Sequence, residues 1–161
     1  MDDRLLLAAT EYDRGDPKRI QHLIKVYQLA GLIARSEKVT DTELRTVEAA
    51  AILHDIGIHE GERLYGRNDG KIQEQLGPDI ADRLLEQVGG YEDIRGRVLY
   101  LIAHHHTYTD IDGIDLQILI EADFLVNLYE DDSGESAVKA AGEKIFKTQT
   151  GKMLLKTMYG I

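Results

Sequence analysis

Apolar residues recur at helical spacing along nearly the whole chain, and no bounded period-two run marks a strand. The spacing predicts a first helix over 3–12 that closes at Gly15, then a second that Asp16 caps and Pro17 opens. In that second helix His22, Val26, Leu29 and Ile33 share one stripe, so His22 faces inward. Thr40-Asp41-Thr42-Glu43 reads as a capped start to a third helix, which carries Leu44, Val47 and Ala51 to His54 on one face. The polar, glycine-containing stretch 60–70 reads as a loop that covers a site. Helix is expected again over 78–88, stopped by Gly89-Gly90, and over 92–106, with Ile94, Val98, Ile102 and His105 in register. A further helix over 116–129 aligns Leu116, Ile120 and Asp123, and two short segments, 136–147 and 151–159, end the chain.

This pattern describes an all-α bundle. With 161 residues, and with no repeat, low-complexity tract or linker, the whole of 1–161 reads as one domain, its C-terminal helices falling in 134–160. The final stretch FKTQTGKMLLKTMYGI suits either docking on its own core or pairing with another subunit in a homo-oligomer.

Charge narrows the partners. A formal net charge of −10 opposes non-specific nucleic-acid binding and attraction to anionic membranes. An anionic substrate fits such a chain if a metal ion makes one cavity locally positive, so the substrate is read as small. The acidic N-terminus does not resemble a secretory signal and no apolar run approaches membrane-spanning length, so a cytoplasmic location is expected. There is no cysteine, so a metal site would use His, Asp and Glu, which suits Mn, Fe, Mg, Co, Ni or Zn.

The chemistry concentrates in VEAAAILHDIGIH, from Val47 to His59, where an apolar run leads directly into His54-Asp55. A carboxylate at the end of a buried run needs compensation, and a divalent cation beside a neutral imidazole supplies it. Asp123, inside ILIEADFLVNL, has few structural explanations beyond a buried ion pair. Together His22, His54, Asp55 and Asp123 form a complete ligand set for one divalent ion, carried on three helices. Each has a plainer reading: a satisfied core histidine, a chance dipeptide, a turn cap, an ion pair. The shared site is simpler than all of these at once.

In order and context these residues, His22, then AAAILHDIG, then Asp123 in EADFL, resemble the H…HD…D signature of the HD-domain metal-dependent phosphohydrolase superfamily, over about 17–129. The resemblance implies an all-α HD-type bundle with His22, His54, Asp55 and Asp123 as metal ligands, acting on a nucleotide or other small phosphomonoester. Two-metal members carry a His-His pair where this chain has His104-His105-His106, so His104 and His105 are candidates for phosphate or a second ion. Those members also place a histidine on the preceding helix, where this chain has Gln73 and Glu74, and Glu74 is the remaining candidate ligand there. The GYP element and the HDxxED run are absent, so neither cyclic di-GMP nor (p)ppGpp is implied. Asp55 is expected to orient or deprotonate water. His59 suits a general acid or a surface histidine equally, and Arg19, Lys71 and Arg67 suit phosphate binding against a solvated default. Two alternatives stay open: a two-metal phosphodiesterase or pyrophosphohydrolase, and a non-catalytic metal- or ligand-sensing module.

Overall fold

The computed structural model describes residues 3–161, and among them all regular structure is helical. The helices are α1 (Asp3–Tyr12), α2 (Pro17–Ser36), α3 (Asp41–Leu53), α4 (Ile58–Tyr65), α5 (Gly70–Val88), α6 (Arg95–Ile102), α7 (Gly113–Glu130), α8 (Glu135–Lys144) and α9 (Gln149–Tyr159). Their ends follow the local chemistry. The Asp16 side chain accepts from Arg19 N with Pro17 at the first helical position, and Thr40 and Glu43 form a reciprocal capping box.

Three expectations need correction. The helix expected over 92–106 is shorter: α6 runs Arg95–Ile102, and 103–106, with all three histidines, lie in turns. The stretch 60–70 is not one loop. It holds α4, which begins at Ile58 directly after Gly57, buries Ile58 and Gly61, and ends at Gly66 in the left-handed conformation (φ 66°). Only residues 66–69 remain irregular between α4 and α5. The helix expected from Pro78 starts at Gly70, because the Asp69 side chain caps Ile72 N and Pro78 is accommodated inside the helix. Pro78 does remove the donor that Glu74 C=O would have used.

Helix α2 packs most extensively, against α3 and α7, and this trio forms the centre of the core. α7 is the most buried element, apolar on nearly every side, as a central helix must be. The C-terminal segment docks on its own core: Leu155 is buried, and Tyr159 Oη donates to Leu125 O at 2.9 Å. Glu121, fully buried in α7, anchors the α8–α9 junction by accepting from Lys147 N, Thr148 N and the Thr148 hydroxyl. No helix among the described residues is long and apolar enough to cross a membrane.

Candidate metal centre

Helix α3 ends at Leu53, and the chain turns through His54-Asp55-Ile56-Gly57, with Ile56 N bonded to Leu53 O and Ile58 N to Asp55 O. That turn is possible because Gly57 lies against α5: a Cβ on Gly57 would stand 2.9 Å from Gly77 N and 3.2 Å from Gln73 O. α3 therefore presents His54 and Asp55 to the middle of the bundle, facing α2 and α7.

Three imidazoles there are held in the same way. His54 Nδ1 donates to Ala51 O (2.8 Å), His105 Nδ1 donates to Ile102 O (2.7 Å), and His22 Nδ1 donates to Glu130 Oε2 (3.0 Å). A carbonyl only accepts, so Nδ1 carries the proton in His54 and His105, and Nε2 turns a lone pair inward. Lys25 Nζ holds the other Glu130 oxygen at 2.5 Å, which fixes the support of His22.

His22 Nε2 lies 3.1 Å from His54 Nε2, and Asp123 Oδ1 lies 3.2 Å from the first and 3.5 Å from the second. Asn127 Nδ2 donates to the same Asp123 oxygen. Asp55 Oδ2 is 3.5 Å from both imidazole nitrogens, while its Oδ1 is 3.6 Å from His105 Nε2. His105 Nε2 is fully buried and has no hydrogen-bond partner. Two donor groups result, His22/His54/Asp123 and Asp55/His105/His106, each with ligand atoms within 4.8 Å of one another.

The electrostatics agree with the geometry. Burial pushes the His54 pKa down, but Asp55 and Asp123 overcome this and raise it to about 9, so without an ion Nε2 binds a proton that an incoming divalent ion would displace to gain the inward lone pair. Burial pushes the Asp55 carboxyl up, and His54 with His105 brings it down to about 2. Converging lone pairs and carboxylates with one orphaned imidazole nitrogen draw in positive charge, and a divalent ion of N/O preference fits that donor set.

The structure separates the remaining candidates. His104 does not point into the site: its ring stacks on Tyr100 (centroids 4.0 Å apart) and its Nδ1 bonds Tyr100 O, with the Arg97 guanidinium on the Tyr100 face. His106 stands in the second group instead. Glu74 is committed elsewhere, accepting from His106 N and from the Thr107 hydroxyl. Gln73 is buried, with its Oε1 2.8 Å from His106 Nε2. His59 is at the rim, 3.4 Å from Asp13 and 3.3 Å from the Arg19 guanidinium. Arg19 also binds Asp16 (2.8 Å) and Glu62 (2.6 Å). With His22, Asp55 and Lys18 it lines a polar cleft of about 200 Å³ leading to the centre. Lys71 is exposed and lies outside that lining, and Arg67 is exposed beside Asp69.

Sequence reading missed Glu130, Asn127 and His106 as parts of the centre. The first two had a signal, since Asp123, Asn127 and Glu130 follow one face of α7 at helical spacing. His106 had none, because α6 ends at Ile102 and the turn after it breaks the register.

The comparisons with known proteins agree with this architecture. A search of curated proteins returns no match. Among solved structures, the crystal structure of a predicted HD superfamily hydrolase from an uncultured Thermotogales bacterium is similar at 29% identity and a TM-score of 0.69, covering 99% of this chain and 85% of that one. The model of the HD domain family matches residues 19–152, which contain both donor groups. The chain therefore belongs to the HD domain family.

Proposed function

We propose that this protein is a metal-dependent phosphohydrolase acting on a small phosphorylated compound, a nucleotide or other phosphomonoester. The observation that carries the reading is the position of Asp55, whose two oxygens are divided between two donor groups. His22, His54, Asp55 and Asp123 would hold one ion; His105 and His106, with the far oxygen of Asp55, would hold a second. Bound there, such ions supply Lewis acidity to a phosphoryl oxygen and acidify water.

The chain's own residues do the rest. Asp55 is held ionised and is the carboxylate of the centre that also lines the cleft, so it is the group placed to orient a water and take its proton. Arg19 and Lys18 stand in the cleft with four carboxylates, Asp16, Asp55, Glu130 and Asp131, so bound ions would supply the net positive charge that favours a phosphate there. Arg19 is already shared by Asp16 and Glu62, so it acts as a fixed wall rather than a free clamp. His59, held by Asp13 next to Arg19, is the candidate donor to the leaving oxygen.

The second donor group favours a second reading, hydrolysis of a phosphodiester or pyrophosphate, which pairs of ions commonly support. Either substrate would be a small molecule, met in the cytoplasm, without nucleic-acid or membrane partners.

The test is elemental analysis of wild type and His54→Ala, together with turnover of mono- and diester phosphate substrates after loading with Mn, Fe, Co, Ni, Zn or Mg. Near-stoichiometric metal, lost in folded His54→Ala along with turnover, is expected. Metal content unchanged in folded His54→Ala overturns the ligand assignment. Metal bound with no turnover of any substrate leaves the sensing module as the function.

A further inference from the structure

We infer that Tyr108 masks the second ion-binding group: its hydroxyl covers the one ring nitrogen of His106 that has a free lone pair, so an ion binds there in competition with Tyr108. This rests on the two-ion arrangement proposed above.

Gln73 Nε2 donates to Asn68 O at 2.7 Å, and because a carbonyl cannot donate, this fixes which end of the Gln73 amide is oxygen. That oxygen, Oε1, lies 2.8 Å from His106 Nε2. It can only accept, so Nε2 of His106 carries the proton. In a neutral imidazole the lone pair then sits on Nδ1.

His106 Nδ1 lies 3.2 Å from Tyr108 Oη, whose hydroxyl donates to it. A metal ligand needs the same lone pair, so hydroxyl and ion exclude each other at this atom.

Tyr108 is placed to yield. Its ring packs edge-on against Phe124 (5.1 Å) yet is 41% exposed. The residue before it is fixed, since Glu74 Oε1 binds both His106 N and the Thr107 hydroxyl. Rotation of Tyr108 thus frees Nδ1 without moving the backbone that positions His106. Gln73, at the place where two-metal relatives carry a histidine, sets the tautomer rather than ligating.

The experiment compares metal-stripped wild type and Tyr108→Phe, titrated with Mn²⁺ by calorimetry and checked by elemental analysis after dialysis. Phenylalanine keeps the ring on Phe124 and removes only the hydroxyl. The first equivalent should bind equally in both, and the second about three- to tenfold more tightly in Tyr108→Phe, the worth of one hydrogen bond. One ion in wild type and two in Tyr108→Phe is the same result in stronger form. Two ions of equal affinity in both proteins overturn the role of Tyr108 and leave the two-ion reading standing. One ion in both overturns the two together. Long-range ¹⁵N–¹H NMR of the metal-stripped protein reads the tautomer directly: Nε2–H on His106 is expected, and Nδ1–H overturns the inference whatever the metal count.

Discussion

The Nε2 atoms of His22 and His54 face each other at 3.1 Å, each ring having its Nδ1 committed to an acceptor behind it. For His54 that acceptor is a backbone carbonyl, which mutation cannot remove. For His22 it is Glu130, steadied by Lys25. Glu130→Ala should therefore weaken metal binding about 10- to 100-fold while the fold persists, the usual effect of losing a carboxylate behind a ligating histidine. Competition with a chromophoric chelator measures it, and an unchanged affinity would show that Glu130 does not orient His22.

The three consecutive histidines should behave as three different residues. His104 stacks on Tyr100, away from both donor groups, whereas His105 is buried with its Nε2 toward Asp55. His104→Ala should keep the wild-type metal content, and His105→Ala should lose one equivalent. Elemental analysis of the two variants at equal protein concentration decides this.

Gly57 and Gly77 lie together beneath the His54-Asp55 turn, but a methyl group is not equally costly at the two. At Gly57 it meets backbone, Gly77 N at 2.9 Å and Gln73 O at 3.2 Å; at Gly77 it meets one side-chain methyl, Cγ2 of buried Ile102, at 2.8 Å. Gly57→Ala should cost about 1–3 kcal/mol, with Gly77→Ala milder because a side chain can shift where a backbone cannot. Urea denaturation compares them, and equal losses would contradict the backbone explanation.

Asp13 gives a pH signature away from the metal ligands. Burial, only partly offset by His59 and Arg19, raises its carboxyl from 3.8 to about 6. The folded pKa lies above the unfolded one, so the protonated acid favours the fold. That contribution is full below 3.8 and is lost as pH rises through about 6. Asp13→Asn should therefore gain on wild type between about pH 4 and pH 7, by up to about 2–3 kcal/mol, and level off above. Thermal denaturation of both proteins across that range tests it, and a pH-independent difference would rule the linkage out.

What the sequence determined by itself was everything fixed by neighbours a few residues away. The Asp16-Pro17 start, the Thr40–Glu43 box and the inward stripe of His22 depend on local hydrogen bonds and helical spacing, and all three stand in the structure. The apolar run before His54-Asp55 likewise placed those residues at a helix end in the interior. Tertiary structure decided the rest. Pro78 looks like a helix start until the Asp69 cap, two turns earlier, outweighs it. α4 forms because Ile58 and Gly61 find a surface on α5, which no local pattern encodes. Spacing put His105 on the inner stripe, and it is buried toward Asp55, but helical register ends beyond Ile102, so spacing could not separate His104 from His106. Contacts with Tyr100, Ile102 and Gln73 made that choice. The division is physical: backbone caps act over single turns, whereas a metal centre needs atoms from several helices to meet within a few ångströms.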